Sequence, residues 1–164
     1  MAQYGFHYDG TRCTGCKTCM LACKDYHNLP GDVAFRQVYE YGNGEWEKDA
    51  AGAWSCTTQV YYLSEACPYG IPKADAEKGV YVKCDGCKDR VAQGKKPICV
   101  EACPLRALDF GDIEQLRSDF GDVAAIAPLP DSSATRPNIV ITPPAAACAD
   151  VAGDGAVLNR CEIV

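Results

Sequence analysis

An α+β fold built around clustered cysteines rather than around a large apolar core is predicted by three features of the sequence. Twelve of the 164 residues are cysteine, and eight of these fall in two tight groups. Short stretches with strand-like alternation stand beside short helical ones. Ten prolines and 15 glycines punctuate the whole chain. The hydrophobic share is 48%, but it falls to about 41% if the cysteines bind metal, a modest core for one domain of this length.

Composition and pattern exclude several classes. No run of about 18 apolar residues is present, so no direct membrane span is expected. The N-terminus, MAQYGFHYDGTRC, has neither a basic region nor an apolar one, so no signal of its own is expected. Without export, thiols stay reduced, and metal ligation outranks disulfides as the reason for so many cysteines. The formal charge is -6, and nothing in the pattern suggests a nucleic-acid partner.

The first cysteine group, CTGCKTCMLAC, places Cys13, Cys16, Cys19 and Cys23 at C-x2-C-x2-C-x3-C. That is the spacing of a bacterial-type [4Fe–4S] run. The second group places Cys84 and Cys87 at x2, then Cys99 and Cys103 at x3 followed by Pro104, the same motif with a longer loop in its middle. Three thiolates on a loop bind three corners of one cube, while the fourth, at the start of a helix, is carried towards the other cube. The expected assignment is therefore Cys13, Cys16, Cys19 and Cys103 for one cluster, and Cys84, Cys87, Cys99 and Cys23 for the other. Two zinc sites are the alternative, since paired C-x2-C spacings also suit tetrahedral zinc. Zinc does not explain the third cysteine at x2 or the Cys-Pro ending.

These motifs define a ferredoxin-like dicluster domain over residues 1–110, and the flanking elements follow in order. Residues 3–9 alternate aromatic and polar side chains and read as a strand entering the first loop. Thr18 to Tyr26 reads as a helix ending near Asn28 and Pro30. Val33 to Tyr41 and Trp54 to Leu63, rich in aromatic and β-branched residues around the GNG at 42–44, read as a hairpin insertion over about 33–63. Val80 to Lys83 reads as a strand entering the second motif, and Val100 to Ala107 as its helix. Asp112 is placed to cap a helix from Ile113 to Phe120 that Gly121 stops. Residues 111–164 form that helix and an irregular C-terminal arm, with one strand at Asn138 to Thr142. This region holds 3 basic and 8 acidic groups, and is read either as an arm laid over the domain or a partner, or as disordered near its end.

Four cysteines remain. A third cluster from Cys56, Cys67, Cys148 and Cys161 has spacings that match no cluster run; buried free thiols are the plainer reading for Cys56, Cys148 and Cys161. His7 and His27 flank the first motif and read as surface or packing residues rather than ligands. Trp46 and Trp54 read as cover for a cluster edge or the core. Lys83, Lys88, Arg90, Lys95, Lys96 and Arg106 make the second motif basic, either as solvated loop charge or as charge that favours cluster reduction. No paired carboxylates, phosphate loop or nucleophile–base set is present, so no catalytic residues are expected.

The motifs and their flanks closely resemble the electron-transfer iron–sulfur subunits of anaerobic dimethyl sulfoxide reductase, among the molybdopterin oxidoreductase complexes. The similar stretches are YGF at 4–6, RCTGCKTCMLACKDYH at 12–27, VYEYGNGEW at 38–46, YYLS at 61–64, KCDGCKDRVAQGKKPICVEACPLRALDFG at 83–111, AAIAPLP at 124–130 and RPNIVI at 136–141. The resemblance implies a non-catalytic subunit with [4Fe–4S] cofactors. Its partners would be a quinol-oxidising membrane anchor and a molybdopterin-containing catalytic subunit, and it would be membrane-associated through them, on a face of the cytoplasmic membrane that the sequence does not assign. Relatives carry four cysteine motifs that pair first with fourth and second with third. Here YYLS runs directly into EACPYGIP, so the second motif and the front of the third are lacking, and Cys67 reads as the relic of the third. The remaining motifs are a mutually sufficient pair, which agrees with two clusters. The alternatives are a metal-stapled interaction or assembly module, or a shortened, inactive relative.

Overall fold

Alternation in the first strand decides how the molecule is layered. The computed structural model describes residues 3–43, 46–56, 59–66, 72–134, 136–148 and 155–163. Strand β1 (Tyr4–Asp9) is the centre of a three-stranded sheet, antiparallel to β8 (Leu108–Asp112) and parallel to β9 (Ile139–Thr142). Successive side chains point to opposite faces. On one face Tyr8, flanked in register by Leu108 and Ile141, is fully buried in the main core. On the other, His7 lies beside Val140 and stacks on Phe120, with ring centroids 3.8 Å apart.

Helix α4 (Ile113–Phe120) covers that second face through Ile113 and Leu116, which pack with Val140. Asp112 caps it as expected, its Oδ1 accepting from the N–H groups of Glu114 and Gln115, an interaction worth about 1 kcal/mol. Gly121 ends it with φ +90, a conformation that favours glycine. Gly5 lets the helix approach the sheet: a Cβ there would fall 2.5 Å from Ile113 Cδ1 and 2.8 Å from the Asn138 carbonyl oxygen.

The first face of the sheet carries the cysteine-bearing helices. Helix α1 (Thr18–Tyr26) packs on the short α3 (Ile98–Glu101), and α2 (Lys88–Ala92) precedes α3. The helix expected over Val100–Ala107 is instead α3, displaced towards the N-terminus. Pro97 presets its entry, Pro104 cannot continue it, and Arg106 at φ +53 turns the chain into β8. Neither α2 nor β8 was anticipated by the sequence patterns. Among the described residues the main core comprises twelve buried side chains, of which four are Cys19, Cys23, Cys99 and Cys103.

Strand β2 (Arg36–Asn43) pairs antiparallel with β5 (Gln59–Ala66) from Arg36↔Ala66 to Asn43↔Gln59, and β3 (Trp46–Lys48) pairs with β4 (Trp54–Cys56) between them. Strand β6 (Lys73–Asp75) forms a ribbon with β7 (Val80–Val82) that leads into the second cysteine loop. Helix α5 (Ala145–Cys148) follows β9. Residues 155–163 then run against β2: β10 (Ala156–Val157) pairs with it, and Asn159 receives the Glu40 N–H and donates to the Val38 carbonyl. Among the described residues, no helix is long and apolar enough to cross a membrane.

Candidate iron–sulfur centres

Two loops and two helices position the eight cysteines. In the first loop Gly15 and Lys17 take positive φ (67 and 60), and in the second Gly86 and Cys87 do so (69 and 53), which curls each loop back on itself. Each loop then leads to a helical segment bearing two thiols one turn apart, Cys19 and Cys23 on α1, and Cys99 on α3 with Cys103 just beyond it. Side chains at i and i+4 share a helix face but stand about 6 Å apart along it, so one helix can serve two neighbouring centres.

The structure brings the thiols together across the motifs. One cavity is lined by Cys13, Cys16, Cys19 and Cys103, with Leu105 and Leu108 closing its apolar wall. Cys23 instead lies among the thiols of Cys99, Cys84 and Cys87. Burial, then the charge of those neighbours, pushes its thiol up to about 12. Burial likewise raises the thiols of Cys84 and Cys87. In the first set, Cys16 is exposed, and the Thr18 hydroxyl 3.5 Å from its sulfur lowers its pKa. Backbone N–H groups also point at sulfur, from Gly86 to Cys84 at 3.4 Å and from Ala107 to Cys103 at 3.3 Å.

The spacing of the thiols bears on what they can hold. In tetrahedral zinc sites the Zn–S distance of about 2.3 Å brings the sulfurs within about 3.8 Å of one another. Among the described residues the one trio of potential ligand atoms closer than 4.8 Å is His27, Asp85 and Cys87; neither four-cysteine set closes to that spacing. Four soft donors spread around a cavity fit a polynuclear iron–sulfur group better than a single ion.

Two residues outside the expected ligand set face these thiols, Arg36, which the sequence patterns did not single out, and His27. Arg36 is 2% exposed and carries its charge into the protein interior, where its guanidinium lies over the Phe6 ring at 5.5 Å. Burial works to lower its pKa, but Cys99, which it hydrogen-bonds, and Cys19 and Cys23 outweigh this and hold it above its ordinary value. It is thus a fixed positive charge between thiols of both sets. The only sequence signal was a charged residue at the end of the apolar run VAF before QVYEY. His27, read above as a packing or surface residue, places Nε2 3.4 Å from Cys87 Sγ.

The basic residues of the second motif are largely engaged elsewhere. Arg90 pairs with Glu101 and donates to the Lys96 carbonyl, Lys96 pairs with Asp109, and Arg106 donates to the Glu101 carbonyl. Cys161, expected to be a buried thiol, is exposed on a short 3-10 turn, Arg160–Glu162. All of Cys67, and the side chains of Cys56, Cys148, Trp46 and Trp54, lie outside the described residues.

Residues 5–113 match the family model described as the 4Fe-4S dicluster domain. The chain is 48% identical to the B subunit of the anaerobic dimethyl sulfoxide reductase of Escherichia coli K12, with 86% of this chain and 89% of that subunit covered. It is 44% identical to the corresponding subunit of Haemophilus influenzae, with 87% and 90% covered. It is 29% identical to the B subunit of the polysulfide reductase of Wolinella succinogenes, with 86% and 94% covered. In the Escherichia coli comparison, 86% of 164 residues, about 141, are spread over 183 aligned positions, so about 42 positions of that relative have no counterpart here. The mixed helix and strand, the cysteine sets and these similarities together show that the chain belongs to the 4Fe-4S dicluster family and, within it, to the iron–sulfur electron-transfer subunits of the dimethyl sulfoxide reductase family.

Proposed function

We propose that the chain holds two [4Fe–4S] clusters, one on Cys13, Cys16, Cys19 and Cys103 and the other on Cys84, Cys87, Cys99 and Cys23. Through them it relays single electrons between a quinol-oxidising membrane anchor subunit and a molybdopterin-containing catalytic subunit. The observation that carries this reading is the cross-motif grouping of the thiols at spacings too wide for a single zinc ion. Bound clusters supply reversible one-electron chemistry. The chain supplies the eight thiolates, the burial that keeps water from most of them, and N–H donors and the Arg36 charge that offset the negative charge of the centres. It has no catalytic residues of its own, and it associates with the membrane through its partners.

The domain reading is a dicluster unit over residues 1–110 with a hairpin insertion at about 33–63, then a C-terminal helix and arm over 111–164. We place the missing segment of the relatives between Ser64 and Glu65. In that register the junction falls inside a ladder, with Val38 opposite Ser64 and Gln37 opposite Glu65, so the strand closes over the gap without interrupting the pairing.

Anaerobic reductive titration of the purified holoprotein tests the relay. Uptake of about two electrons per chain, one for each cluster, is expected. A metal-stapled assembly module with zinc takes up none. The shorter length favours one further reading, a relative that loads its clusters but no longer completes the path. That reading predicts normal uptake with no reoxidation of the reduced chain by the catalytic subunit, whereas the relay predicts reoxidation.

A further inference from the structure

We propose that His27 donates a hydrogen bond from Nε2–H to the Cys87 thiolate and thereby raises the reduction potential of the centre held by Cys23, Cys84, Cys87 and Cys99, while leaving the other centre unaffected. The inference rests on the two-cluster reading above and adds to it a residue outside both cysteine motifs.

The ring is held in place from three directions. His27 caps the C-terminal end of α1, and its own N–H bonds the Cys23 carbonyl at 3.2 Å, so the helix that delivers Cys23 also fixes the histidine backbone. Tyr26 meets the ring edge-on at 5.0 Å and Phe35 at 5.3 Å between centroids. Nε2 is then 3.4 Å from the buried Cys87 Sγ, within hydrogen-bond reach of sulfur. A ligated thiolate has no proton to give, so the nitrogen facing it must carry one.

Reduction adds negative charge that is shared with the sulfurs, and a donor aimed at a sulfur stabilises the reduced state more than the oxidised one. Asp85 acts in the opposite direction: its carboxylate accepts from the Cys87 N–H at 2.9 Å and stands within 4.8 Å of both the histidine and the thiol. In the first set the neutral Thr18 hydroxyl stands 3.5 Å from the sulfur of the exposed Cys16, and among the described residues no imidazole meets a thiol there. The chain has one other histidine, His7, on the far face of the sheet, where Nε2 bonds Thr142 Oγ1 at 2.9 Å and the ring stacks on Phe120.

An EPR-monitored redox titration of the holoprotein tests the proposal. His27→Phe keeps a ring between Tyr26 and Phe35 but removes the donor. It is expected to shift the reduction equilibrium of the second centre about tenfold towards the oxidised form, about 59 mV for a one-electron couple. The first centre should not move. His27→Gln, which keeps an N–H donor, should retain part of the effect. Unchanged potentials, or equal shifts in both centres, would overturn the proposal. Should the Phe variant fail to load, the wild-type holoprotein grown on isotopically labelled histidine provides a second reading: pulsed EPR of the reduced second centre should reveal coupling to a histidine nitrogen, and its absence would also overturn the proposal. Samples with no reduced-cluster signal at all would instead count against the two-cluster reading.

Discussion

Replacing Cys23 by serine is expected to abolish the centre built mainly by the second motif, although Cys23 belongs to the first. Iron should fall from about 8 to about 4 per chain, and the spin coupling between two reduced clusters should disappear. The reason is geometric. Cys23 is one helical turn beyond Cys19, and its thiol lies among Cys84, Cys87 and Cys99 rather than in the cavity lined by Cys13, Cys16, Cys19 and Cys103. The comparison that decides is between variants. Cross-ligation predicts that Cys23→Ser and Cys99→Ser leave the same residual EPR spectrum, and that Cys103→Ser resembles Cys13→Ser. If each motif ligated its own cluster, Cys23→Ser would match Cys13→Ser instead. Because serine oxygen can bind iron weakly, Cys23→Ala should give the same residual spectrum with a more complete loss.

Removing the metal is expected to dismantle the tertiary structure. Among the described residues, four of the twelve side chains in the main core are cysteines of the proposed ligand sets, and they lie between α1, α3 and the buried face of the sheet at Tyr8, Leu108 and Ile141. Without a group to tie them, two short helices must pack across a cavity, a loss comparable with the whole stability of about 5–15 kcal/mol typical of a domain. Chelation under oxygen should erase the near-UV circular dichroism and the amide protection of α1 and α3. A metal-free chain that kept a cooperative thermal transition at the original temperature would contradict this.

The parts of the fold that were legible beforehand are those with local signals. The alternation of QYGFHYD marks β1, the aspartate and glycine around residues 113–120 mark both ends of α4, and the β-branched run at 139–142 marks β9. The boundaries of α3 were misjudged because Pro97 was not read as its entry and Pro104 was not read as its stop. Strand β8 was missed because the alternation in LDFGD is only two apolar residues long and ends at a glycine, so the strand is held chiefly by pairing with β1, about a hundred residues earlier.

The site divides in the same way. Cysteine spacing is a local signal: Cys13, Cys16, Cys19 and Cys103 line one cavity, and Cys23 lies among Cys84, Cys87 and Cys99. His27 and Arg36 carry no such signal, because what they touch is set by tertiary packing: His27 meets a thiol 60 residues away, and Arg36 reaches Cys99 from the start of β2. The C-terminal residues were likewise undecided from composition. Their placement depends on Asn159 filling two backbone positions of β2 and on Glu162 meeting Lys17 beside the first cysteine loop.

Iron and acid-labile sulfide analysis of protein purified without oxygen, combined with EPR after dithionite reduction, tests the central claim most directly. Two cross-ligated cubanes predict about 8 iron and 8 sulfide per chain with coupled reduced-cluster signals. Zinc without sulfide, or about 12 iron from a third cluster, would contradict it.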